Sequence, residues 1–229
     1  MVKTPALLAH ALPRRTWRIR NASNRVYLTF DDGPIPKVTP WVLDTLKEAE
    51  AKATFFCIGD NIRKHPDIFR RIISEGHAIG NHTFHHLNGR KTTSAQYLED
   101  VARCEREIQN SNLTPQTSNL TPQTSPLIPH PSYLFRPPYG RLTSKQARTL
   151  IDQGYELIMW DVLSYDFDAK LSKEQCLQNV LKHVRPGSIV VLHDSLKAEE
   201  KLRYCLPRIL DFISEKGWKC DKIDGSGEK

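Results

Sequence analysis

No apolar run in this chain of 229 residues approaches the roughly 20 consecutive residues that a membrane-spanning helix needs. The first 20 residues also lack the apolar core of roughly 7–15 residues that marks a secretory signal. Leu7 and Leu8 are apolar, but Pro5, His10, Pro13, Arg14 and Arg15 interrupt them. The expected location is therefore cytoplasmic, with the periplasm and the envelope left open. The five cysteines (Cys57, Cys104, Cys176, Cys205 and Cys220) are odd in number, widely spaced and without a Cys-x-x-Cys pair. That argues against a disulfide framework and a cysteine-held metal. Charge lacks a pattern as well. The net charge is +7, but the basic residues are scattered, and the pairs Arg14-Arg15 and Arg70-Arg71 form no stripe interleaved with aromatics, so nucleic acid is not an expected partner. A monomer is expected, and the length permits one large domain with a substantial core or two small ones.

What is present is organised around Val26-Tyr27-Leu28-Thr29-Phe30-Asp31-Asp32-Gly33-Pro34. A β-prone apolar run ends in two adjacent acids and then Gly-Pro. Side chains alternate along a strand, so Asp31 and Asp32 cannot share one orientation unless the backbone turns between them. Two carboxylates aimed differently suit two jobs, such as metal ligand and proton acceptor. Alone, the stretch also reads as a strand followed by an acidic turn.

Further on, helical periodicity over 39–50, 66–75, 94–109, 144–153, 173–184 and 201–216 alternates with strand-like segments at 54–58, 77–81, 133–136, 155–160 and 188–193. Strands separated by helices imply βαβ units, a parallel sheet or barrel, and chemistry at the carboxyl ends of the strands. The polar clusters sit at those ends: Asp31-Asp32, 82–86, 136–139, Asp166 and His193-Asp194. One span breaks the alternation. Ser-Asn-Leu-Thr-Pro-Gln-Thr occurs at 111–117 and again at 118–124, and prolines recur to 131, so 111–132 reads as a mobile surface insert. The expected organisation is an N-terminal extension (1–24) packed on one domain (25–220), with a flexible tail (221–229).

Asn81-His82-Thr83-Phe84-His85-His86 places histidines at i and i+4, which share a face if the segment is helical. With one carboxylate from elsewhere, His82 and His86 make a two-histidine, one-aspartate metal site with open positions. His85 falls off that face and reads as a surface or supporting residue. A polar loop, a rigid Arg136-Pro137-Pro138-Tyr139 turn and a capping Asp194 are the plainer readings of the same stretches.

Thr29-Phe30-Asp31-Asp32-Gly33, His82-Thr83-Phe84-His85-His86, Arg136-Pro137-Pro138-Tyr139-Gly140 and Ile189-Val190-Val191-Leu192-His193-Asp194 resemble, in order, the motifs of the polysaccharide deacetylases (carbohydrate esterase family 4, the NodB-homology group). The resemblance covers roughly residues 25–215. It implies an α/β fold, a distorted (β/α) barrel with fewer than eight parallel strands and outer helices. It further implies removal of N-acetyl groups from N-acetylglucosamine-type sugars in peptidoglycan, chitin-like or related glycans, with a divalent metal, zinc before cobalt, nickel or manganese. Carried over by position, it implies Asp32, His82 and His86 as metal ligands, Asp31 as general base and His193 as general acid. Arg136 would hold Asp31, and the Tyr139 N–H would stabilise the oxyanion. Leu192 would line the acetyl-methyl pocket, and Pro137, Phe167 and Trp160 would contact substrate. The fourth motif departs from the family's Asp-x-x-Asp-Trp: Asp166 is kept, while Leu163 and Phe167 stand at the flanking places. Asp166 would raise the pKa of His193, and Phe167 keeps an aromatic wall without an indole donor.

The chemistry makes sense independently of the resemblance. An amide needs a polarised carbonyl, a base for the attacking water and an acid for the departing nitrogen. Deacylation or deformylation of another small or lipid-linked amino sugar is the alternative reaction. A carbohydrate-binding relic is the alternative class, and the intact set of Asp31, Asp32, His82, His86 and His193 counts against it. An aspartyl-phosphate enzyme would space its acids by one residue and has no use for the histidine pair.

Overall fold

The computed structural model describes residues 2–112 and 133–225. Seven parallel strands follow one another along a curled sheet: β1 (Arg25–Asp31), β2 (Thr54–Cys57), β3 (Ala78–Asn81), β4 (Tyr133–Phe135), β5 (Tyr155–Leu157), β6 (Val162–Leu163) and β7 (Ile189–His193). Their order across the sheet is β5-β4-β3-β2-β1-β7-β6, and a two-residue β8 (Lys219–Cys220) pairs with the start of β1. The helices are α1 (Ala6–Ala11), α2 (Val38–Glu48), α3 (Gly59–Lys64), α4 (Pro66–Ser74), α5 (Ser94–Asn112), α6 (Ser144–Asp152), α7 (Lys173–Leu181) and α8 (Glu199–Glu215). This is the expected incomplete barrel. Thr143 and Ser172 start α6 and α7 through reciprocal capping with Gln146 and Gln175, one reason those two boundaries are sharp.

Parallel strands buried on both faces explain the near-continuous apolar runs. On β1, Val26, Leu28 and Phe30 face outward into a core shared with Val42, Leu43 and Leu46 of α2, Val180 of α7 and Leu206 and Ile209 of α8. Tyr27 faces inward with Phe56, Leu134, Ile158 and Ile189. The sheet is open between β5 and β6, and the N-terminal segment lies along both edges, where Lys3 bridges Val162 and Thr16 bridges Ile158; Arg18 bridges Ser188, just before β7. The Lys3 ammonium meets buried Asp161 at 2.5 Å.

Three expectations change. The short β6 and β8 and the six-residue α1 and α3 carry too few residues to show a period, and they emerge only from pairing. The expected tail is tied down over 221–225: Asp221 N–H donates to Val26 O, Ile223 N–H donates to Thr54 Oγ1, and Ile223 is buried. Residues 226–229 lie outside the described residues. Of the expected insert at 111–132, Ser111 and Asn112 complete α5, and 113–132 lie outside the described residues. Among the described residues no helix is long and apolar enough to cross a membrane.

Candidate active site

The carboxyl ends of β1, β3, β4 and β7 converge at one pole, as parallel α/β folds dictate. Asp31 and His193 are register partners on adjacent strands. Asp32 adopts φ 86°, a left-handed conformation rare outside glycine, and this turns its carboxylate away from that of Asp31. The surrounding structure holds the turn. Asn61 Nδ2 donates to Asp32 O at 2.7 Å, Ile58 N–H to Gly33 O at 3.0 Å, and Gly33 N–H to Asp194 Oδ1 at 3.0 Å. A Cβ on Gly33 would lie 2.0 Å from Asp194 Oδ2. Gly33→Ala should therefore lose about 1–3 kcal/mol of stability through overpacking, measurable as a lowered midpoint in urea unfolding.

Asp31 is buried against Arg136, itself fully buried, whose Nη1 lies 2.7 Å from Asp31 Oδ1. Arg136 also donates to Thr29 Oγ1 at 2.6 Å and to the carbonyls of Ile158 and Met159. Burial alone would push the Asp31 carboxyl up, but Arg136, His82 and His193 together hold it below the usual carboxylate range. Asp31 is an anion with one oxygen engaged by Arg136.

His82 Nδ1 lies 2.7 Å from Arg136 O, which fixes Nδ1 as the protonated nitrogen and leaves the Nε2 lone pair free. His86 Nδ1 lies 3.1 Å from Tyr139 Oη. The Nε2 atoms of His82 and His86 lie 3.9 and 3.4 Å from Asp32 Oδ1. Burial pushes His82 down to about 4 and His86 down as well, so both imidazoles are neutral. Asp32 Oδ1 is itself buried without a hydrogen-bond partner. A buried carboxylate oxygen without a donor, facing the Nε2 lone pair of His82, is unfavourable unless a cation lies between them. One ligand atom from each of Asp32, His82 and His86 falls within 4.8 Å of the others, and a carboxylate with two imidazoles suits a divalent metal. The residues present fit such an ion.

His193 donates both its backbone N–H (2.8 Å) and Nδ1–H (2.7 Å) to the two oxygens of fully buried Asp166. Burial opposes protonation, but Asp166, with help from Asp31 and Asp32, raises His193 to about 9. His193 is a cation with Nε2–H directed at the site. Phe167 meets its ring edge-on at a centroid distance of 4.9 Å. Tyr139, at φ 59°, is exposed and packs against His86, Pro137 is buried, and the half-buried Trp160 ring sits over Gly140.

The structure departs from expectation at three points. Residues 82–86 are not helical: Thr83 and His86 both take left-handed φ, and a loop rather than the i, i+4 geometry brings His82 and His86 together. Leu192 does not face the site, because strand alternation puts it with Val190 in the outward core and puts Val191 on the side of His193. Two buried carboxylates were not among the expected site residues. Asp194 accepts from Gly33 N–H and, at 2.6 Å, from Thr39 Oγ1–H, and burial pushes it up to about 8. Asp100 supports the histidine loop from α5. Its signal was an acid within the apolar stripe of Tyr97, Val101, Cys104 and Ile108.

The family profile described as polysaccharide deacetylase matches residues 18–158. The chain is 30% identical over 205 residues to a peptidoglycan-N-acetylglucosamine deacetylase of Bacillus cereus, covering 89% of this chain and 88% of that protein. It is 34% identical over 188 residues to a chitooligosaccharide deacetylase of Bradyrhizobium sp., covering 82% and 78%. Among solved structures, a peptidoglycan N-acetylglucosamine deacetylase crystallised with 4-naphthalen-1-yl-N-oxidanyl-benzamide superposes with a TM-score of 0.80 at 28% identity, over 96% of this chain and 95% of that one. A family 4 carbohydrate esterase from Streptomyces lividans, in complex with acetate, gives a TM-score of 0.71 at 26% identity, over 89% and 95%.

Proposed function

We propose that this chain, which belongs to the polysaccharide deacetylase family, is a metal-dependent hydrolase that removes the acetyl group from N-acetylglucosamine units of a glycan. The observation that carries this reading is the orphaned Asp32 Oδ1 facing Nε2 of both His82 and His86, with an independently held acid beside it.

When bound by Asp32, His82 and His86, a divalent metal supplies Lewis acidity, polarising the acetyl carbonyl and lowering the pKa of water to around 7. Asp31 accepts the proton of the attacking water. Arg136 engages Oδ1 and keeps the group ionised, so Oδ2 is left to take the proton. The Tyr139 N–H stabilises the oxygen that gains charge on attack. His193 Nε2–H then protonates the departing nitrogen, and Asp166 both orients the ring and keeps it protonated. Val191, on the His193 side of β7, replaces Leu192 as the residue proposed to line the acetyl-methyl pocket. Phe167 and Trp160 form the walls against which a sugar ring packs.

The sign of the pH dependence follows from His193. Its folded pKa, about 9, exceeds the ordinary 6.5, so its stabilising contribution is complete below 6.5 and is lost as pH rises through 9. The protonated acid is lost on the alkaline side, so His193 sets the alkaline limb of kcat/KM. In Asp166→Asn, burial is left without its main opponent, and the alkaline limb should move to lower pH. A pH profile whose alkaline limb does not move would remove Asp166 from this role.

The reading is tested by acetate release from peptidoglycan fragments and from chito-oligosaccharides, before and after chelation and after metal is restored. Chelator-sensitive, metal-restored release from at least one substrate is expected. Release insensitive to chelation would overturn metal dependence, and the absence of acetate from every N-acetylated glycan would overturn the reaction.

A further inference from the structure

The loop carrying His82 and His86 is held in an unfavourable backbone shape. Thr83 and His86 have φ of 62° and 56°, costly for non-glycine residues and above all for β-branched threonine. Such a shape persists only where its surroundings impose it. The loop's amides show what does so. His82 N–H donates to Cys57 O on β2, and Thr83 N–H to Asn81 Oδ1. Leu87 N–H donates to Thr83 Oγ1. The other two amides between the metal-site histidines, those of Phe84 and His85, each meet Asp100 Oδ2 at 2.9 Å. Asp100 Oδ1 takes His85 Nδ1 at 2.5 Å, and the backbone carbonyl of Asp100 accepts from Phe84 N–H at 3.2 Å. Asp100 is 6% exposed and lies on the inward stripe of α5. Phe84 is buried beneath it, with the Arg103 guanidinium 3.8 Å above the ring and Gly59 closely packed at its edge.

We infer that Asp100 is a positioning residue for the metal ligands: its carboxylate, on the amides of Phe84 and His85, sets the separation and aim of His82 and His86. His85 is the neighbouring clasp rather than a ligand: its Nδ1 is taken up by Asp100, and it lies outside the group that Asp32, His82 and His86 form. Only one carboxylate oxygen is needed for both amides, so an amide side chain can replace the acid. Asn supplies an oxygen acceptor for the two N–H groups and an N–H donor for His85. Ala supplies neither. The inference rests on reading Asp32, His82 and His86 as the metal site.

The experiment measures Zn2+ dissociation constants of the full chain, stripped of metal, by competition with a chelating indicator, well below the melting temperature of each metal-free variant. Metal-free melting curves are recorded in parallel. Asp100→Ala should bind about 10–100-fold more weakly than the unsubstituted chain, the range for losing a group that orients a metal ligand. Asp100→Asn should stay within a few-fold, and so should His85→Ala, which leaves both amide contacts in place. If Asp100→Ala binds zinc as tightly as the unsubstituted chain while melting at a lower temperature, Asp100 is only structural and the inference fails. If Asp100→Ala does not fold, Asp100→Ser takes its place, and unfolding of both likewise assigns Asp100 to structure alone. If the unsubstituted chain itself does not bind zinc, the metal site fails first, an outcome distinct from either.

Discussion

Asp31→Asn is expected to retain bound metal and to lose between about 10² and 10⁴ in kcat, the range attributed to a positioned general base. That corresponds to roughly 3–5 kcal/mol of barrier. The substitution is nearly isosteric. An amide oxygen still accepts from Arg136 Nη1, and Thr29 and the carbonyls of Ile158 and Met159 still accept from the rest of the guanidinium. The buried cation nevertheless loses its counter-charge, so the variant should also melt at a lower temperature, by less than the roughly 3–5 kcal/mol of a fully broken buried pair. Turnover must therefore be measured where circular dichroism shows the variant folded and elemental analysis shows its metal intact. Near-normal turnover under those conditions removes Asp31 as the base. Metal lost together with activity would instead make Asp31 a ligand.

His86→Ala should have the opposite signature: metal lost, fold kept. His86 is partly exposed, with 27% of its side chain accessible, so truncation leaves little cavity. His82 is fully buried, and His82→Ala mixes loss of a ligand with loss of packing. Removing one of three donors should weaken metal binding by more than the roughly 10–100-fold that follows loss of an outer partner. After dialysis the variant should hold less than about a tenth of the metal of the unsubstituted chain, with acetate release falling in proportion. Full metal content in folded His86→Ala would refute the ligand set.

These variants separate what the site residues do because the structure gives each carboxylate its own partner. Asp31 belongs to Arg136, Asp166 to His193, and Asp32 to the histidine pair. The two adjacent acids diverge because φ turns positive at Asp32, and Asp194 and Asn61 secure that turn from β7 and α3. The pole thus combines an anion, a cation and a neutral imidazole pair.

Much of this was legible in the chain itself. Alternating strand and helix periods specified a parallel α/β fold, because one face of every element must be buried, and that fold places loop chemistry at the strands' carboxyl ends. Residue types at Asp31, Asp32, His82, His86, Arg136, Asp166 and His193 pointed to the proposed chemistry, since few other side chains bind a metal or move a proton near neutrality. Packing alone decided the rest. Strand alternation exchanged Leu192 for Val191, pairing with the ends of the curled sheet placed the first residues along its open edges, and a left-handed loop, not a helix, joined His82 to His86. Asp100 had no motif, and the motif that ends in Asp194 did not give its role, because both roles depend on backbone amides distant in sequence, and hydrogen bonds to the main chain leave no mark on the residues that donate them.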